Sequence, residues 1–417
     1  MATHVDIRTF HAVSQSMDSL VNKNAGLYET GREGDSDLLQ GLRVALVHDW
    51  LVNMRGGERV LESLCQRFPE APIFTLLYKP GSVSAAISSH KIETSVLQNL
   101  PFAITKYRNY LPVFPLLAEL SKVKDYDVVI STSHAVAKAM VKKDRDRRPL
   151  HICYIHTPMR YIWDRFDDYF GVAQVGYLAS HCVYSPIAKL LQRYDKMTAS
   201  RVDVFVANSR FVAGRVKCHY GRDAKVVAPP VEVQRFAHWP RRPEEWYLVV
   251  SALAPYKRVD HAILACASLG RELKIVGSGP EAENLKNIAR EAGAKVEFLG
   301  FVEDQSLAEY YSRARALLFP GVEDFGIVPV EAIAAGCPVI AFAMGGILDS
   351  MTSGTAEFYS SDTSEGLRQA ITNFEKRTFL EAELRDRAAA FAPEQFLRKF
   401  EAVLTQAVQG RYRTREA

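Results

Sequence analysis

Two doubly wound α/β domains, each built on a mostly parallel sheet, are the fold class this sequence predicts. Three observations predict it. The chain has 417 residues, more than one hydrophobic core usually holds. Short apolar runs alternate with helix-like stretches from Arg43 almost to the C-terminus. A proline-rich stretch from Pro229-Pro230 to Pro243 breaks that rhythm near the middle, and a fresh strand pattern begins at Trp246.

In order, residues 1–40 are polar and read as a flexible leader, with room for a short helix near Phe10–Leu20. An N-terminal domain is expected over 41–232. Its strands are Arg43–Asp49, Pro72–Tyr78, Asp127–Ser133, His151–His156, Val204–Asn208 and Lys225–Ala228. A second domain is expected over 233–392, with strands at Trp246–Leu253, Glu272–Gly277, Lys295–Leu299, Ala316–Phe319 and Pro338–Phe342. A terminal helix over 393–417 is expected to return toward the first domain. The two halves would face each other across a cleft, with ligands beyond the carboxyl ends of the strands.

Composition narrows the function classes. At 48% hydrophobic and 24% charged, the chain supports two ordinary cores. A net charge of +4 is too mild for a nucleic-acid binder, and it suits an anionic ligand or an anionic membrane surface. The six cysteines form no CxxC pair and read as free, buried thiols of a reducing compartment. No stretch approaches the roughly 20 apolar residues of a bilayer span, and the first residues lack a signal-peptide core. A cytoplasmic protein is expected, peripheral to the inner face of the cell membrane at most.

The most informative string is Phe319-Pro-Gly-Val-Glu323-Asp-Phe325-Gly326-Ile327-Val328-Pro329-Val-Glu331-Ala. A strand ends near Phe319, a glycine-bearing loop follows, and a helix opens at about Pro329, which suits a first helical turn. Loop N–H groups and the helix N-terminus make a site for an anion or for sugar hydroxyls. Gly326 lets the backbone approach a ligand closely. Glu331 is placed for ribose hydroxyls and Glu323 for hydroxyls of a second sugar, since carboxylates accept from vicinal diols. Read alone, each glutamate is better explained structurally, Glu331 as a helix-dipole partner and Glu323 as a solvated loop residue.

Glu323 and Glu331 with seven residues between them, and Phe-Gly-Ile-x-Pro-x-Glu-Ala between and after, resemble the donor motif of family-4 retaining glycosyltransferases with the GT-B fold. The likeness runs over 43–405: Gly56-Gly57, Ala-Asn-Ser at 207–209, Pro-Pro-Val at 229–231, Pro-Tyr-Lys257 and Gly277-Ser-Gly279-Pro match in order. His48-Asp49-Trp-Leu, with Ile-His156-Thr-Pro-Met-Arg160-Tyr-Ile-Trp163-Asp164, is similar to mannosyltransferases that build bacterial polysaccharides.

The resemblance implies a hexosyltransferase that uses a nucleotide-sugar donor, GDP-mannose first among them, and needs no metal or further cofactor. It implies a lipid-linked oligosaccharide or similar hydroxyl as acceptor. A UDP-hexose donor, or a GT-B sugar-phosphate processing or epimerase-like activity, is the alternative. Donor contacts fall on Gly56, Gly57, Lys257, Arg258, Glu323, Phe325, Gly326, Ile327, Val328 and Glu331, with the base held through the backbone of Gly300, Phe301 and Val302. Lys257 would face the diphosphate, since a cation there offsets charge on the departing group. Relatives carry an arginine five residues earlier, where this chain has Ala252, so Arg258 is the nearest substitute. His156 lies near the donor sugar in the family.

His134 and His156 each stand at the end of a strand and point to one cleft edge. His156, Glu323 and Lys257 are the catalytic candidates. Asp49, His134, Arg160 and Asp164 are acceptor-side candidates, with salt bridges inside the domain as the alternative reading. Two segments stand apart. Leu100–Leu117 mixes apolar, aromatic and basic residues as an interfacial membrane-docking surface or a packed layer would. Lys142–Arg148 is a charge run read as a solvated loop, not a metal site.

Overall fold

A computed structural model describes residues 39, 41–142, 148–164, 166, 176–177 and 180–416. The leader expected over 1–40, with its helix near Phe10–Leu20, lies outside these residues but for residue 39, as do residues 143–147 of the charge run.

The first sheet comprises β1 (Val44–His48), β2 (Ile73–Thr75), β3 (Ile92–Thr94), β4 (Val128–Ser133), β5 (Leu150–Ile155), β6 (Val204–Ala207) and β7 (Ala224–Val226), in the order β3-β2-β1-β4-β5-β6-β7. The second comprises β8 (Tyr247–Val250), β9 (Leu273–Val276), β10 (Val296–Gly300), β11 (Leu317–Phe319), β12 (Val339–Phe342) and β13 (Ala356–Tyr359), in the order β10-β9-β8-β11-β12-β13. Pairing is parallel in both. The strand order reverses between β1 and β4 in one sheet and between β8 and β11 in the other.

Both sheets are covered on both faces, which is why their strands are continuous apolar runs rather than alternating ones. In the second sheet Leu248, Leu317, Val339 and Ala341 join one core, while Tyr247, Val249, Leu318 and Ile340 join the other. The flanking helices are amphipathic in the matching sense. In Gly56–Arg67, for example, Val60, Leu61, Leu64 and Cys65 are buried at helical spacing.

The two strands the sequence does not announce, β3 and β13, are both sheet edges. Their segments, Ile-Glu-Thr and Ala-Glu-Phe-Tyr, are half-covered and carry no apolar run. The thiol reading needs a correction too. Cys65, Cys153, Cys266 and Cys337 are buried, but Cys182 and Cys218 are exposed, because each sits on the outer side of a helical segment. The last helix runs from Pro393 to Glu416, and its Phe396 ring meets the Tyr154 ring of β5 edge-on, centroids 5.7 Å apart.

Candidate active site

Each reversal of strand order splays two adjacent loops apart and leaves a crevice at the carboxyl ends of the strands. Most candidate residues come from the loops after the four strands that flank these two reversals.

In the second sheet the loop after β8 carries Lys257, the loop after β11 carries Glu323, and their side chains form an ion pair. Close backbone approach makes this possible. A Cβ on Gly321 would come 2.9 Å from the Lys257 Cα, so only glycine lets the two loops touch. The Glu323 backbone is fixed by the next loop, where the Gly346 N–H donates to the Glu323 carbonyl at 2.8 Å. Gly345 has φ +93° there, and a Cβ would meet the Glu323 carbonyl oxygen at 2.5 Å. The Gly345-Gly346 pair is therefore a clamp on the motif loop.

Gly326 takes φ +87° as N-cap of the helix Ile327–Ala334, which opens two residues before Pro329. Glu331 lies in that helix and accepts the Tyr311 hydroxyl at 3.1 Å. Ile327 and Val328 are partly buried against the core. Phe325 is a core residue, 3% exposed, with its ring against Phe391, so its side chain supports the loop from behind. Gly300 has φ +67°, and after it Phe301 stands 81% exposed at the carboxyl end of β10. Arg258 is the nearest candidate for the place of the missing arginine. It holds the left-handed conformation and pairs with Asp260 at 3.2 Å and with Asp362.

In the first sheet three imidazoles gather at the reversal. His48 ends β1, His134 follows β4 and His156 follows β5. The His134 ring centroid lies 6.3 Å from His48 and 6.2 Å from His156. A Cβ on Gly57 would sit 3.5 Å from His156 Nε2 and 3.7 Å from His48 Cε1, so the glycine pair after β1 lies directly against them. Burial, and then the neighbouring His134 and His48 rings, push the His156 pKa down to about 3. His134 is lowered as well, by burial against an opposing pull from Asp49.

His48 and Glu58 join the imidazole cluster, although sequence reading assigns His48 only a place in a motif and Glu58 no role. His48 is fully buried, with Nδ1 2.6 Å from the Thr132 hydroxyl and Nε2 3.7 Å from Glu58 Oε1. The other Glu58 oxygen accepts the Arg55 N–H at 2.9 Å and caps the helix that carries Gly56 and Gly57. The only advance signal was a glutamate at the third helical position after a Gly-Gly start.

Asp49 is not presented to a ligand. It is fully buried, and its oxygens accept the backbone N–H groups of His134, Ala135, Val136 and Ala137 at 2.6–2.9 Å. Burial pushes its carboxyl up, but His134, those N–H groups and His48 outweigh burial and hold it below the usual range. Asp49 thus positions the His134 loop. Arg160 and Asp164 are likewise engaged within the protein. Arg160 donates to Asp324 at 3.0 and 2.5 Å, and Asp164 binds Arg215 and, at 3.2 Å, His219.

A family model described as "Glycosyltransferase Family 4" matches residues 54–235, and one described as "Glycosyl transferases group 1" matches residues 231–395. The D-inositol 3-phosphate glycosyltransferase of Geodermatophilus obscurus is 28% identical over 250 residues, 52% of this chain and 55% of that protein. A GDP-mannose-dependent phosphatidylinositol monomannoside mannosyltransferase of Corynebacterium glutamicum is 30% identical over 186 residues, 37% of this chain and 48% of that one. Matches to such curated relatives span from 10% to 55% of their lengths. Among solved structures, the sucrose-phosphate synthase of Thermosynechococcus elongatus superposes with a TM-score of 0.66 at 16% identity, covering 88% of this chain and 100% of that one.

Proposed function

The chain belongs to the family-4 glycosyltransferases of the GT-B fold and resembles bacterial mannosyltransferases, and on that premise we propose that it moves a hexosyl group from a nucleoside diphosphate sugar, GDP-mannose first among candidates, to a hydroxyl acceptor. The transfer retains configuration and is metal-independent. One observation carries this reading: Lys257 and Glu323 meet at the reversal of the second sheet, with Glu331 one helical turn beyond. A cation for a diphosphate and carboxylates for two sets of sugar hydroxyls thereby converge on one crevice.

In the proposed step the bond from the anomeric carbon to the diphosphate oxygen breaks as the acceptor oxygen bonds to the same face. The acceptor proton passes to the leaving diphosphate oxygen. Lys257 stabilises the charge that develops there, in a site where few waters compete. Glu323 orients the transferred sugar and Glu331 the ribose. His156 is neutral at physiological pH, because its pKa is held near 3. It therefore offers a hydrogen bond to the sugar without adding positive charge beside an oxocarbenium-like centre.

The acceptor reading is a lipid-linked glycan met at an anionic bilayer. Two segments of the first domain support it. In 96–120, Phe102 is 73% exposed, Leu116 and Leu120 are exposed, and Lys106 lies 5.7 Å from the Phe102 ring. Tyr194 of the helix Ser185–Thr198 donates to the Pro115 carbonyl at 3.2 Å, which joins that helix to the same surface. Its Leu190 and Met197 are exposed beside the exposed cations Lys189, Arg193 and Lys196, while its one acid, Asp195, is buried on Lys138. Apolar anchors ringed by cations fit anionic headgroups.

The test of the reaction is a donor panel of GDP-mannose, UDP-glucose and UDP-GlcNAc, read by thermal shift and by slow donor hydrolysis with and without EDTA. Binding of none overturns the proposal, and loss of hydrolysis in EDTA overturns its metal independence. For the surface, flotation with phosphatidylglycerol vesicles is expected and flotation with phosphatidylcholine vesicles is not. Equal behaviour on both, or loss on neither in Leu190→Glu/Met197→Glu, returns the patch to ordinary exposed surface.

A further inference from the structure

Between Glu323 and Phe325, inside the donor loop, stands Asp324, 8% exposed, which the motif reading left without a role. Its carboxylate does not turn to its own sheet. One oxygen takes Arg160 Nε at 3.0 Å and Nη2 at 2.5 Å; the other takes Arg215 Nη1 at 2.8 Å. Its carbonyl accepts the Ser209 hydroxyl at 2.5 Å. All three partners follow strands of the first sheet: Arg160 after β5, and Ser209 and Arg215 after β6. Arg215 is itself braced by the Thr157 hydroxyl at 2.5 Å and by Asp164.

Two further contacts join the same halves at the same place. Arg210 binds Asp349, which lies just beyond the Gly345-Gly346 clamp on Glu323. A Cβ on Gly56 would fall 2.6 Å from Ile327 Cδ1, so the glycine pair of the first sheet is seated on the start of the donor helix.

We propose that Asp324 is a positioning residue, a latch through which Arg160 and Arg215 of the first domain hold the donor loop in its working shape. Assembly of the sugar end of the donor site and closure of the two halves are then one event. The chemistry favours this over a purely structural pair. A carboxylate this buried needs full compensation, and among the described residues its side-chain partners come from across the crevice. When the halves part, Asp324 loses all of those partners, and the loop between Glu323 and Phe325 keeps only the contacts made within its own half. The nucleotide end is different. Gly300 ends β10 and Glu331 accepts the Tyr311 hydroxyl within the second half, so nucleotide binding depends less on the latch than the sugar end does.

This inference rests on the donor-site reading for its kinetic arm and is independent of it for its structural arm. The full-length chain carrying Asp324→Asn is compared with wild type, with Asp324→Glu and with Arg160→Gln. Small-angle scattering without ligand gives the radius of gyration, titration with GDP and UDP gives nucleotide affinity, and slow hydrolysis gives donor turnover. The radius is expected to rise in Asp324→Asn. Turnover should fall at least ~10-fold, toward the ~100-fold that an ångström of misplacement costs. GDP or UDP affinity should stay within ~3-fold, the sign of an interaction made at the reacting end only. Asp324→Glu should restore part of the turnover. Unchanged radius and unchanged turnover overturn the latch, as does a loss of nucleotide affinity equal to the loss of turnover. If wild type neither binds nucleotide nor turns over donor, the donor reading has failed, and the radius alone decides the latch. Should Asp324→Asn fail to fold, Arg160→Gln removes one arm from a more exposed position and is judged by the same three readouts.

Discussion

The Lys257 ammonium and the Glu323 carboxylate form an ion pair between the loops after β8 and β11, the two strands between which the second sheet reverses its order. The pair couples a group suited to a leaving diphosphate to one suited to the sugar it leaves. Lys257→Ala should therefore lower donor turnover by about 10²–10³, the cost of removing one preorganised charge-stabilising donor. Lys257→Arg should keep part of the rate, and initial rates of donor hydrolysis check both. A Lys257→Ala enzyme within twofold of wild type would place the developing charge elsewhere.

Asp49 is expected to act through structure. Removing a carboxylate that satisfies four N–H groups, three of them buried, leaves all of them without that partner. Asp49→Ala should cost about 3–5 kcal/mol, the range for breaking a buried charged interaction. Urea unfolding at constant m measures it. A loss under about 1 kcal/mol would mean that the loop re-satisfies itself.

Acid should destabilise the protein before its carboxylates titrate. The folded His156 pKa is depressed to about 3, whereas the unfolded chain takes up that proton near 6.5. The unfolded state then binds more protons between those values, so stability falls as pH drops from 6.5 toward 3. Asp49 and Glu58, both held below the usual range, act in the same direction at lower pH, as pH falls through their folded values. The melting temperature of His156→Gln should decline less than that of wild type between pH 6.5 and 5. Parallel declines would show that His156 is protonated in the folded protein.

Much of this architecture was legible in the sequence. Buried parallel strands are runs of apolar residues, so β1, β4, β8 and β12 were visible, and the Glu323–Glu331 spacing marked the crevice of the second sheet. The edge strands β3 and β13 were hidden because half-covered strands need no such run. Pairing across the crevice was hidden for another reason. Arg160 and Asp164 sit in one motif, yet Arg160 binds Asp324 while Asp164 binds Arg215. Sequence proximity suggests a direct pair or a shared place facing the acceptor, whereas the folded chain gathers both around Asp324, Arg160 directly and Asp164 through Arg215. The acidic partners of Arg258 were hidden too, since its left-handed backbone and its pairing with Asp260 and Asp362 show only in the folded chain.

The most direct test of the central claim is calorimetric titration of GDP-mannose and UDP-glucose into wild type, Glu323→Ala and Glu331→Ala. The account expects wild type to bind at least one of them. It expects Glu331→Ala to weaken that binding about tenfold or more, as loss of a charged hydrogen bond to the nucleotide would. Glu323→Ala should bind within a few-fold yet lose turnover, by the same logic that separates ground-state from transition-state contacts. Equal affinities in all three proteins, or no binding to wild type, would contradict it.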